Sequence, residues 1–408
     1  MWDWISTSGK TDPHKNNKER SKTLKIIHVA PNAPYEEGWS YQENLLPKYQ
    51  AKLGHEVILV VSTQRHRQSN QANDSFEDYQ SDYGFRVIRQ PIRLHPLPFL
   101  RRALQSLDVY RLFCEEKPDV IFHHGFISPT IRQAVRYKKD VNPQCVIIQD
   151  NHMDYNIGFT PDHWKGRILR WIYRRLHRST APYIDKVYGV TPWRQKYAQE
   201  IFGVNPDKTD VLIMGADDEQ LDFENRDRYR CELRQKYGIA DEDFLIVTGG
   251  KIDVRKKIHL LMDAVKDLPK VKLLICGTAT ADFVEEYASH LNSNVIDAGW
   301  IPSEQLYGFF FACDLAFFPG QHSVLWEQAC ASKVPCVFGK WEGMDHVDNG
   351  GNACFLSCDS AEAVKARIQD LQFTPEYQKM LSVARSEKTD IYLYSRIAEK
   401  SLECAVQK

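Results

Sequence analysis

Two segments of this sequence carry residue types that can hold a phosphorylated ligand, and the first is GGKIDVRKKI. Gly250 and Lys251 end an apolar run, and Lys256 follows five residues later, just before an amphipathic stretch. Glycine lets a ligand approach the backbone, and clustered cations neutralise a diphosphate. Because a helix dipole disfavours cations at the helix N-terminus, their position there indicates a bound anion. A solvated charged face is the alternative interpretation.

The second segment, PGQHSVLWEQACA, follows another apolar run. Its loop Gln321–Ser323 offers backbone N–H groups to a phosphate, as helix N-termini commonly do. Glu327 lies in the first turns of the predicted helix that follows and has the acceptors to bind ribose hydroxyls. A carboxylate near a helix start also stabilises the helix without any ligand, so this motif alone allows both interpretations.

A weaker signal of the same kind lies near the start of the chain, in APNAPYEEGWSYQENLL. Gly38 precedes a predicted helix for which Ser40 is a candidate N-cap. Such a turn presents backbone N–H groups and the positive end of a helix to an anion. An ordinary β–α turn without a ligand would have the same composition.

Histidines and aspartates follow two predicted strands of the first half, in DVIFHHGF and VIIQDNHMDYNIG. We expect His124, Asp150 and His152 to lie at the edge of a cleft, together with His123 and Asp154. The reason is that ligands of α/β sheets bind at the carboxyl ends of the strands. These residue types suit acid–base chemistry or a metal ion, and side chains that only hydrogen-bond to loops are the simpler interpretation.

Alternating strands and helices must position these segments. Short apolar runs separated by stretches of helical periodicity are typical of parallel strands that are covered on both faces. The predicted strands of the first half are Lys25–Ala30, Val57–Val61, Arg86–Arg89, Asp119–Phe122, Val146–Gln149, Lys186–Val190 and Val211–Met214. Those of the second half are Phe244–Thr248, Lys272–Cys276, Val295–Ala298, Leu315–Phe318 and Cys336–Phe338.

Two successive arrays of this kind predict an α/β protein with two doubly wound, Rossmann-like domains that face a cleft. We divide the chain into a flexible polar tail, a first domain, a charged linker with a short helix, a second domain, and C-terminal helices that pack back towards the first domain. The corresponding ranges are 1–22, 23–216, 217–239, 240–372 and 373–408.

The motifs resemble those of the retaining family 4 glycosyltransferases, which have the GT-B fold. In that family a G-R-x-x-x-x-K-G run holds the donor diphosphate, and Gly250, Lys251 and Lys256 occupy its Gly, Arg and Lys positions here. LWEQACASKVPCV resembles the family's L-E-A-M-A-x-G-x-P-V-V and aligns Glu327 with the second Glu of its E-x7-E motif. The first Glu of that motif falls at Pro319. The segment DAGWIPSEQLYGFFFACD resembles the one that passes near the base.

The resemblance implies transfer of a sugar, with retention, from a nucleoside diphosphate sugar to a glycan or lipid-linked acceptor in bacterial cell-surface polysaccharide synthesis. It implies that the first domain binds the acceptor and the second the donor, without a metal or another cofactor. The implied catalytic residues are His152, Asp150 and His124. The implied donor-binding residues are Gly38, Gly250, Lys251, Lys256, Gly277, Trp300, Ile301, Gln321, His322, Ser323, Val324 and Glu327.

Two other functions stay open at this point. A sugar-nucleotide epimerase would use the same fold for a different reaction. A catalytically degenerate binding or partner subunit would suit the missing first Glu of the motif.

The composition of the whole chain limits its partners. The 408 residues include 53 Lys and Arg against 54 Asp and Glu, and this net charge of -1 argues against a nucleic-acid binder. No apolar stretch reaches the roughly 18 residues needed to span a bilayer, so we expect a cytoplasmic protein. The segment HWKGRILRWIYRRLHRS is typical of a helix at a membrane surface, and also of a helix buried on one face. A peripheral contact with the inner face of the plasma membrane would use Arg167, Arg170, Arg174 and Arg178.

Overall fold

The computed structural model describes residues 23–32, 35–63, 75–101, 103–155 and 164–406 of the chain. The predicted tail, residues 1–22, lies outside the described residues. Within them the chain forms two sheets, one of eight strands and one of six, each flanked by helices. This architecture confirms the predicted fold class of two doubly wound α/β domains.

The first sheet contains the strands of the N-terminal half. They are β1 (Lys25–Ala30), β2 (Glu56–Ser62), β3 (Glu77–Gln80), β4 (Arg86–Gln90), β5 (Val120–His123), β6 (Val146–Asn151), β7 (Lys186–Gly189) and β8 (Thr209–Val211). Their order is β3-β4-β2-β1-β5-β6-β7-β8, and every neighbouring pair is parallel except β3 with β4. The central strands are buried along most of their length, as their continuous Val/Ile runs predict.

The second sheet is parallel throughout its described strands. They are β9 (Phe244–Ile252), β10 (Val271–Ala279), β11 (Val295–Gly299), β12 (Leu315–Phe318), β13 (Cys336–Gly339) and β14 (Ala353–Leu356). Their order is β11-β10-β9-β12-β13-β14. The first residues of β9 and almost all of β12 and β13 are buried, so this sheet is also covered on both faces.

The helices connect the strands and cover the two sheets. Those of the first half are α1 (Gln42–Lys52), α2 (Tyr110–Glu116), α3 (Ile131–Asp140), α4 (Trp164–Thr180) and α5 (Pro192–Tyr197). Those of the second half are α6 (Arg226–Tyr237), α7 (Ile258–Val265), α8 (Val284–Ser289), α9 (Ser303–Ala312), α10 (Leu325–Ala331), α11 (Ala361–Leu371), α12 (Pro375–Ala384), α13 (Tyr394–Ser401) and α14 (Glu403–Val406). No helix within the described ranges is long and apolar enough to cross a bilayer.

Two strands were missed by the sequence analysis, and each lies at the edge of its sheet. Strand β3 has the sequence EDYQ, which contains no apolar run, and its residues alternate between half-buried and exposed. Strand β14 is only partly buried along ACFL. Edge strands pack one face or less against the core, so the hydrophobic pattern that identified the central strands is weak there.

The helix in the predicted linker packs against the second domain. Arg230 and Arg234 of α6 each donate to a carboxylate oxygen of Asp314 at 2.8 Å. Asp314 immediately precedes β12 and also accepts the backbone N–H of Leu245 on β9. Buried charge pairs of this kind need their partners, so α6 is fixed to the second sheet.

Each sheet has a point at which its strand order reverses, between β1 and β5 and between β9 and β12. Open α/β sheets bind ligands at the carboxyl ends of the strands beside such a point. The loops that follow β1, β5, β9 and β12 carry the motifs singled out from the sequence. The topology therefore brings these motifs to two facing sheet edges.

The chain passes between the domains twice within the described residues, and the two passages are hydrogen-bonded to each other. The N–H of Ala216 donates to the carbonyl of Tyr392 at 2.8 Å, and the N–H of Tyr394 donates to the carbonyl of Ala216 at 3.1 Å. Beyond this point α13 packs on the first domain, where Tyr394 and Ile397 join the same apolar cluster as Leu46 of α1.

A buried ion pair anchors the first passage. The Nζ atom of Lys48 donates to the two carboxylate oxygens of Asp217 at 3.0 and 2.7 Å. Only 4% and 8% of these two side chains are exposed. Lys48 also contacts Glu219 at 2.7 Å, but that side chain is 49% exposed. Burial makes the first pair the more important one, because removing one member of a buried pair leaves the other charge without compensation.

We therefore predict that Asp217→Asn lowers the free energy of unfolding by about 3 kcal/mol at neutral pH, measured by denaturant unfolding. The matched control is Glu219→Gln, which removes the exposed partner of the same lysine and should cost less than about 1 kcal/mol. Equal losses in the two variants would contradict the assignment of Asp217 as the anchor.

Candidate active site

A cavity of about 530 Å³ lies between the domains at the carboxyl ends of the strands. The loop after β1 contributes Trp39, Ser40 and Tyr41 from the first domain. The second domain supplies the remaining lining residues: Gly250, Lys251, Cys276, Gly277, Thr278, Trp300, Ile301, Ser303, Leu306, Val324, Leu325 and Gln328. A cavity of this size, with an apolar lining and a few polar groups, is the usual form of a small-molecule site.

Glycines keep the floor of this cavity open where β9 and β10 run side by side. A Cβ atom on Gly277 would lie 2.0 Å from the carbonyl oxygen of Gly250, and one on Gly249 would lie 2.0 Å from that of Cys276. Gly250 itself has a φ of +106°, in a region that side chains disfavour. The backbone is therefore exposed to a ligand at this point.

Lys256 joins two loops beside the cavity. Its Nζ atom donates to the carbonyl oxygens of Gln321 at 2.8 Å and His322 at 3.4 Å. Burial lowers the pKa of Lys256 to about 8, and the nearby charges of Asp253 and Arg255 act in opposite directions. The lysine is thus a half-buried cation that is bound to neutral carbonyls, and an anion would stabilise its charged form.

A glycine makes the contact between these two loops possible. A Cβ atom on Gly320 would lie 2.3 Å from the carbonyl oxygen of Arg255 and 2.4 Å from the Cα atom of Lys256. The N–H of Gln321 donates to the carbonyl of Arg255 at 3.2 Å. The segment before α7 and the loop after β12 therefore pack backbone to backbone, and any side chain at position 320 would separate them.

The carboxylate of Glu327 is completely buried and is held by two histidines. The Nε2 atoms of His322 and His346 both lie 2.8 Å from its Oε1 atom. Burial alone would raise the pKa of Glu327, but the two histidines lower it to about 2. Its Oε2 atom has no hydrogen-bond partner among the described residues. His346 was missed by the sequence analysis because it lies in a loop with no recognisable motif.

The histidine–aspartate cluster of the first domain is more deeply buried than we expected. His124 and Asp150 are at most 2% exposed, and Nδ1 of His124 lies 2.7 Å from Oδ2 of Asp150. The expectation that these two side chains are exposed at the edge of the cleft is therefore wrong, because both are buried within the first domain. His152, whose side chain is 34% exposed, lies 3.5 Å from Asp150 and remains the candidate for contact with a substrate. His123 and Asp154 are also buried.

A buried series of hydrogen-bonded polar side chains leads to Asp150 through His124. The Nε2 atom of His124 lies 2.9 Å from Nδ1 of His28, and Nε2 of His28 lies 2.6 Å from the amide oxygen of Gln50. Burial lowers the pKa of His28 to about 3, so this ring is neutral. The N–H of Gly125 donates to the other oxygen of Asp150 at 2.6 Å. The carboxylate is consequently fixed in place beside His152.

The predicted site residues fall into three groups in the structure. The first group lines the cavity and comprises Gly250, Lys251, Gly277, Trp300, Ile301 and Val324. The second is absent from the lining of that cavity and comprises Lys256, Gln321, His322, Ser323 and Glu327, while Gly38 lines a smaller adjoining cavity of about 110 Å³. The third is the first-domain cluster of His124, Asp150 and His152.

Two family models match most of the chain. The model described as Glycosyltransferase Family 4 matches residues 45–220, and the one described as Glycosyl transferases group 1 matches residues 230–386. The boundary between the two matches falls beside α6, between the two sheets. The chain is a glycosyltransferase of the GT-B type.

Individual relatives are distant. A lipopolysaccharide 1,2-N-acetylglucosaminetransferase from Salmonella typhimurium is 19% identical over 282 residues, which span 65% of this chain and 65% of that relative. A glycosyltransferase from Rickettsia africae has a TM-score of 0.68 at 16% identity, with 95% of this chain and 99% of that chain covered. Anabaena HepE in complex with UDP has a TM-score of 0.65 at 17% identity, with 92% and 98% covered.

The pair of Asp150 and His152 in this transferase gives a prediction for titration. Burial alone would lower the pKa of His152, but the Asp150 carboxylate raises it above its usual value. The stabilisation from the pair is therefore complete below about pH 6.5 and is lost as the pH rises through the higher pKa of the folded state. Asp150→Asn should lower the pKa of His152, measured by NMR titration of the ring protons.

The control for this titration is the second-domain pair of His290 and Asp263, whose Nδ1 and Oδ1 atoms are 2.7 Å apart. Asp263→Asn should leave the titration of His152 unchanged. If His152 titrates identically in the Asp150→Asn variant and the wild type, the carboxylate does not control its protonation.

Proposed function

We propose that this transferase moves a hexose-type sugar, with retention, from a nucleoside diphosphate sugar to a glycan or lipid-linked acceptor in bacterial cell-surface polysaccharide synthesis. The observation that carries the proposal is the half-buried Lys256 ammonium beside a cavity whose floor is glycine backbone. The match to the glycosyl transferases group 1 model over the second domain supports it.

The diphosphate would bind between the loops after β9 and β12. An ammonium group has three N–H donors, and two of those of Lys256 are directed at loop carbonyls. The third is available to a phosphate oxygen, and Lys251 lines the same cavity. Negative charge grows on the leaving diphosphate during transfer, so two cations held in advance at this point stabilise the transition state more than the ground state.

The nucleoside would lie towards Trp300 and Glu327. Trp300 is 72% exposed at the rim of the cavity, which is unusual for so large an apolar side chain and suits stacking against a base. The free Oε2 atom of Glu327 is the acceptor that we assign to a ribose hydroxyl. HepE, which shares the fold, was solved with UDP, with UDP and glucose, and with UDP-glucose, and we infer a uridine diphosphate sugar as the first donor to test.

The acceptor would approach from the first domain. We assign contact with the reacting sugar or acceptor hydroxyl to His152 and the support of that ring to Asp150 and His124. Closure of the domains would exclude water and limit hydrolysis of the donor. The lipopolysaccharide transferase among the relatives motivates a cell-surface acceptor.

The donor proposal predicts a thermal response to nucleotides. UDP-glucose at about 100 times its dissociation constant should stabilise the enzyme by roughly 2.7 kcal/mol, and Lys256→Ala should abolish the shift. The matched control is Lys272→Ala. Lys272 also donates to a backbone carbonyl, that of Ser293 at 3.2 Å, but it lies at the start of β10, whereas the cavity is at the other end of this strand.

A screen in which no nucleoside diphosphate or nucleotide sugar shifts the melting temperature would refute the donor proposal. Product analysis separates the reactions that share this site. Sugar transferred to an acceptor supports the proposal, whereas an isomerised nucleotide sugar without acceptor indicates an epimerase. Tight binding with no turnover indicates a degenerate subunit.

We also propose that α4 contacts an anionic membrane surface. Trp164 and Trp171 are 59% and 62% exposed on this helix, and Ile168 between them is 39% exposed. A groove beside Trp171 is lined by Arg167, Arg170, Arg174, Arg175 and Arg178. Exposed tryptophans next to a row of arginines are typical of helices that lie in the interface of an anionic bilayer.

This contact predicts co-sedimentation with vesicles that contain phosphatidylglycerol, and none with pure phosphatidylcholine. Replacing Arg167, Arg170, Arg174 and Arg178 together by Gln should reduce the bound fraction at least tenfold, because each basic residue near an anionic surface contributes about 1 kcal/mol. The variant should keep its nucleotide response, since none of the residues that line the cavity between the domains belongs to α4. Unchanged sedimentation of the variant would contradict the proposal.

A further inference from the structure

Three side chains at the loop after β12 lie close together and form a cluster of possible metal ligands. The Nε2 atoms of His322 and His346 each lie 2.8 Å from Oε1 of Glu327, and the three atoms all lie within 4.8 Å of one another. The histidine side chains are 6% exposed and the glutamate is fully buried. These three side chains come from two loops and the start of α10.

Both histidines point at the same oxygen of the carboxylate. The Oε2 atom of Glu327, which shares the charge, is buried without a hydrogen-bond partner among the described residues. Two imidazole nitrogens and one carboxylate oxygen that lie within 4.8 Å of one another are also the ligand set found around a zinc ion.

We propose that His322, His346 and Glu327 form a binding site for a zinc-class divalent cation. Zn²⁺ accepts a His₂Glu set with a water as the fourth ligand, whereas Mg²⁺ and Ca²⁺ prefer oxygen ligands only. Ligand atoms placed tetrahedrally at about 2.1 Å from the ion are about 3.4 Å apart. The two N···O distances would therefore lengthen by roughly half an ångström when an ion binds.

Binding of the ion leaves the number of protons on the histidine rings unchanged, so no further reactant is needed. A neutral imidazole that gives its Nε2 lone pair to an ion carries its proton on Nδ1 instead. Without an ion, the contact with the Glu327 carboxylate favours the Nε2–H form of His346. Its Nδ1 atom has no hydrogen-bond partner within the described part of the chain and can take the proton when an ion binds. Glu327 remains a carboxylate throughout, and its Oε2 atom stays available for the ribose contact.

The ion would hold the loop after β12 in place through the side chain of His322. It would join His322 to the loop that carries His346, while Lys256 binds the carbonyls of Gln321 and His322. The loop that follows β12 would then be held by two cations at two places. This role differs from neutralising the diphosphate and departs from the expectation, drawn from the family resemblance, that no metal is bound.

Metal titration of the full chain after treatment with a chelator tests the proposal without any nucleotide. Co²⁺ should bind with one equivalent and give the visible d–d absorption of a tetrahedral site, and Zn²⁺ should displace it. His346→Gln and Glu327→Gln should each weaken binding at least tenfold, and His346→Cys, which restores a ligand for zinc, should recover Zn²⁺ affinity. The control is His290→Gln, which removes another histidine–carboxylate contact and should bind like the wild type.

A wild-type protein that gives no d–d absorption and no heat with Zn²⁺ would overturn the proposal. Binding of equal strength in the wild type and the His346→Gln variant would also overturn it, since the ion would then lie elsewhere. Should His346→Gln fail to fold, the wild-type titration and the His346→Cys variant decide. Nucleotide binding by a protein that binds no metal would leave the proposed transferase function intact.

Discussion

The geometry of the second-domain loops beside the cavity depends on one contact, the hydrogen bonds from the Lys256 ammonium to the carbonyls of the loop after β12. Gly320 allows the two backbones to meet, and the lysine then fastens them together. A cation that is half-buried against neutral carbonyls is electrostatically incomplete, as its lowered pKa shows. Under the proposed function, the side chain that orders the two loops would therefore also contact the anionic part of the donor.

Glu327 shows how the second domain departs from the family pattern while keeping its charge in place. The first glutamate of the motif is missing at Pro319, and the loop carries His322 instead, bonded to the second glutamate. His346 contacts the same oxygen from a separate loop. A carboxylate with a pKa of about 2 stays ionised at any physiological pH, and this demands compensation in a fully buried position.

The sequence predicted the central strands and six of the fifteen residues that line the cavity, because continuous apolar runs and glycine–lysine motifs have local causes. Gly250, Lys251 and Gly277 belong to strands whose order brings their carboxyl ends together. The burial of Asp150 and His124 could not be predicted in this way, since it depends on His28 and Gln50, which are distant in the chain. Trp39 and Tyr41 were missed as lining residues although Gly38 of the same loop was predicted, because the sequence does not indicate which side chains of a loop face a cavity.

The paired passages at Ala216 and Tyr392 have a mechanical consequence for an enzyme that must open to exchange its substrates. A single covalent connection would let one domain rotate freely relative to the other. Two connections bonded side by side resist torsion and leave bending about their common line as the soft coordinate. Opening about this line would return Trp39 and Tyr41 of the first domain to the same position opposite the glycine backbone of β9 and β10 when the domains close.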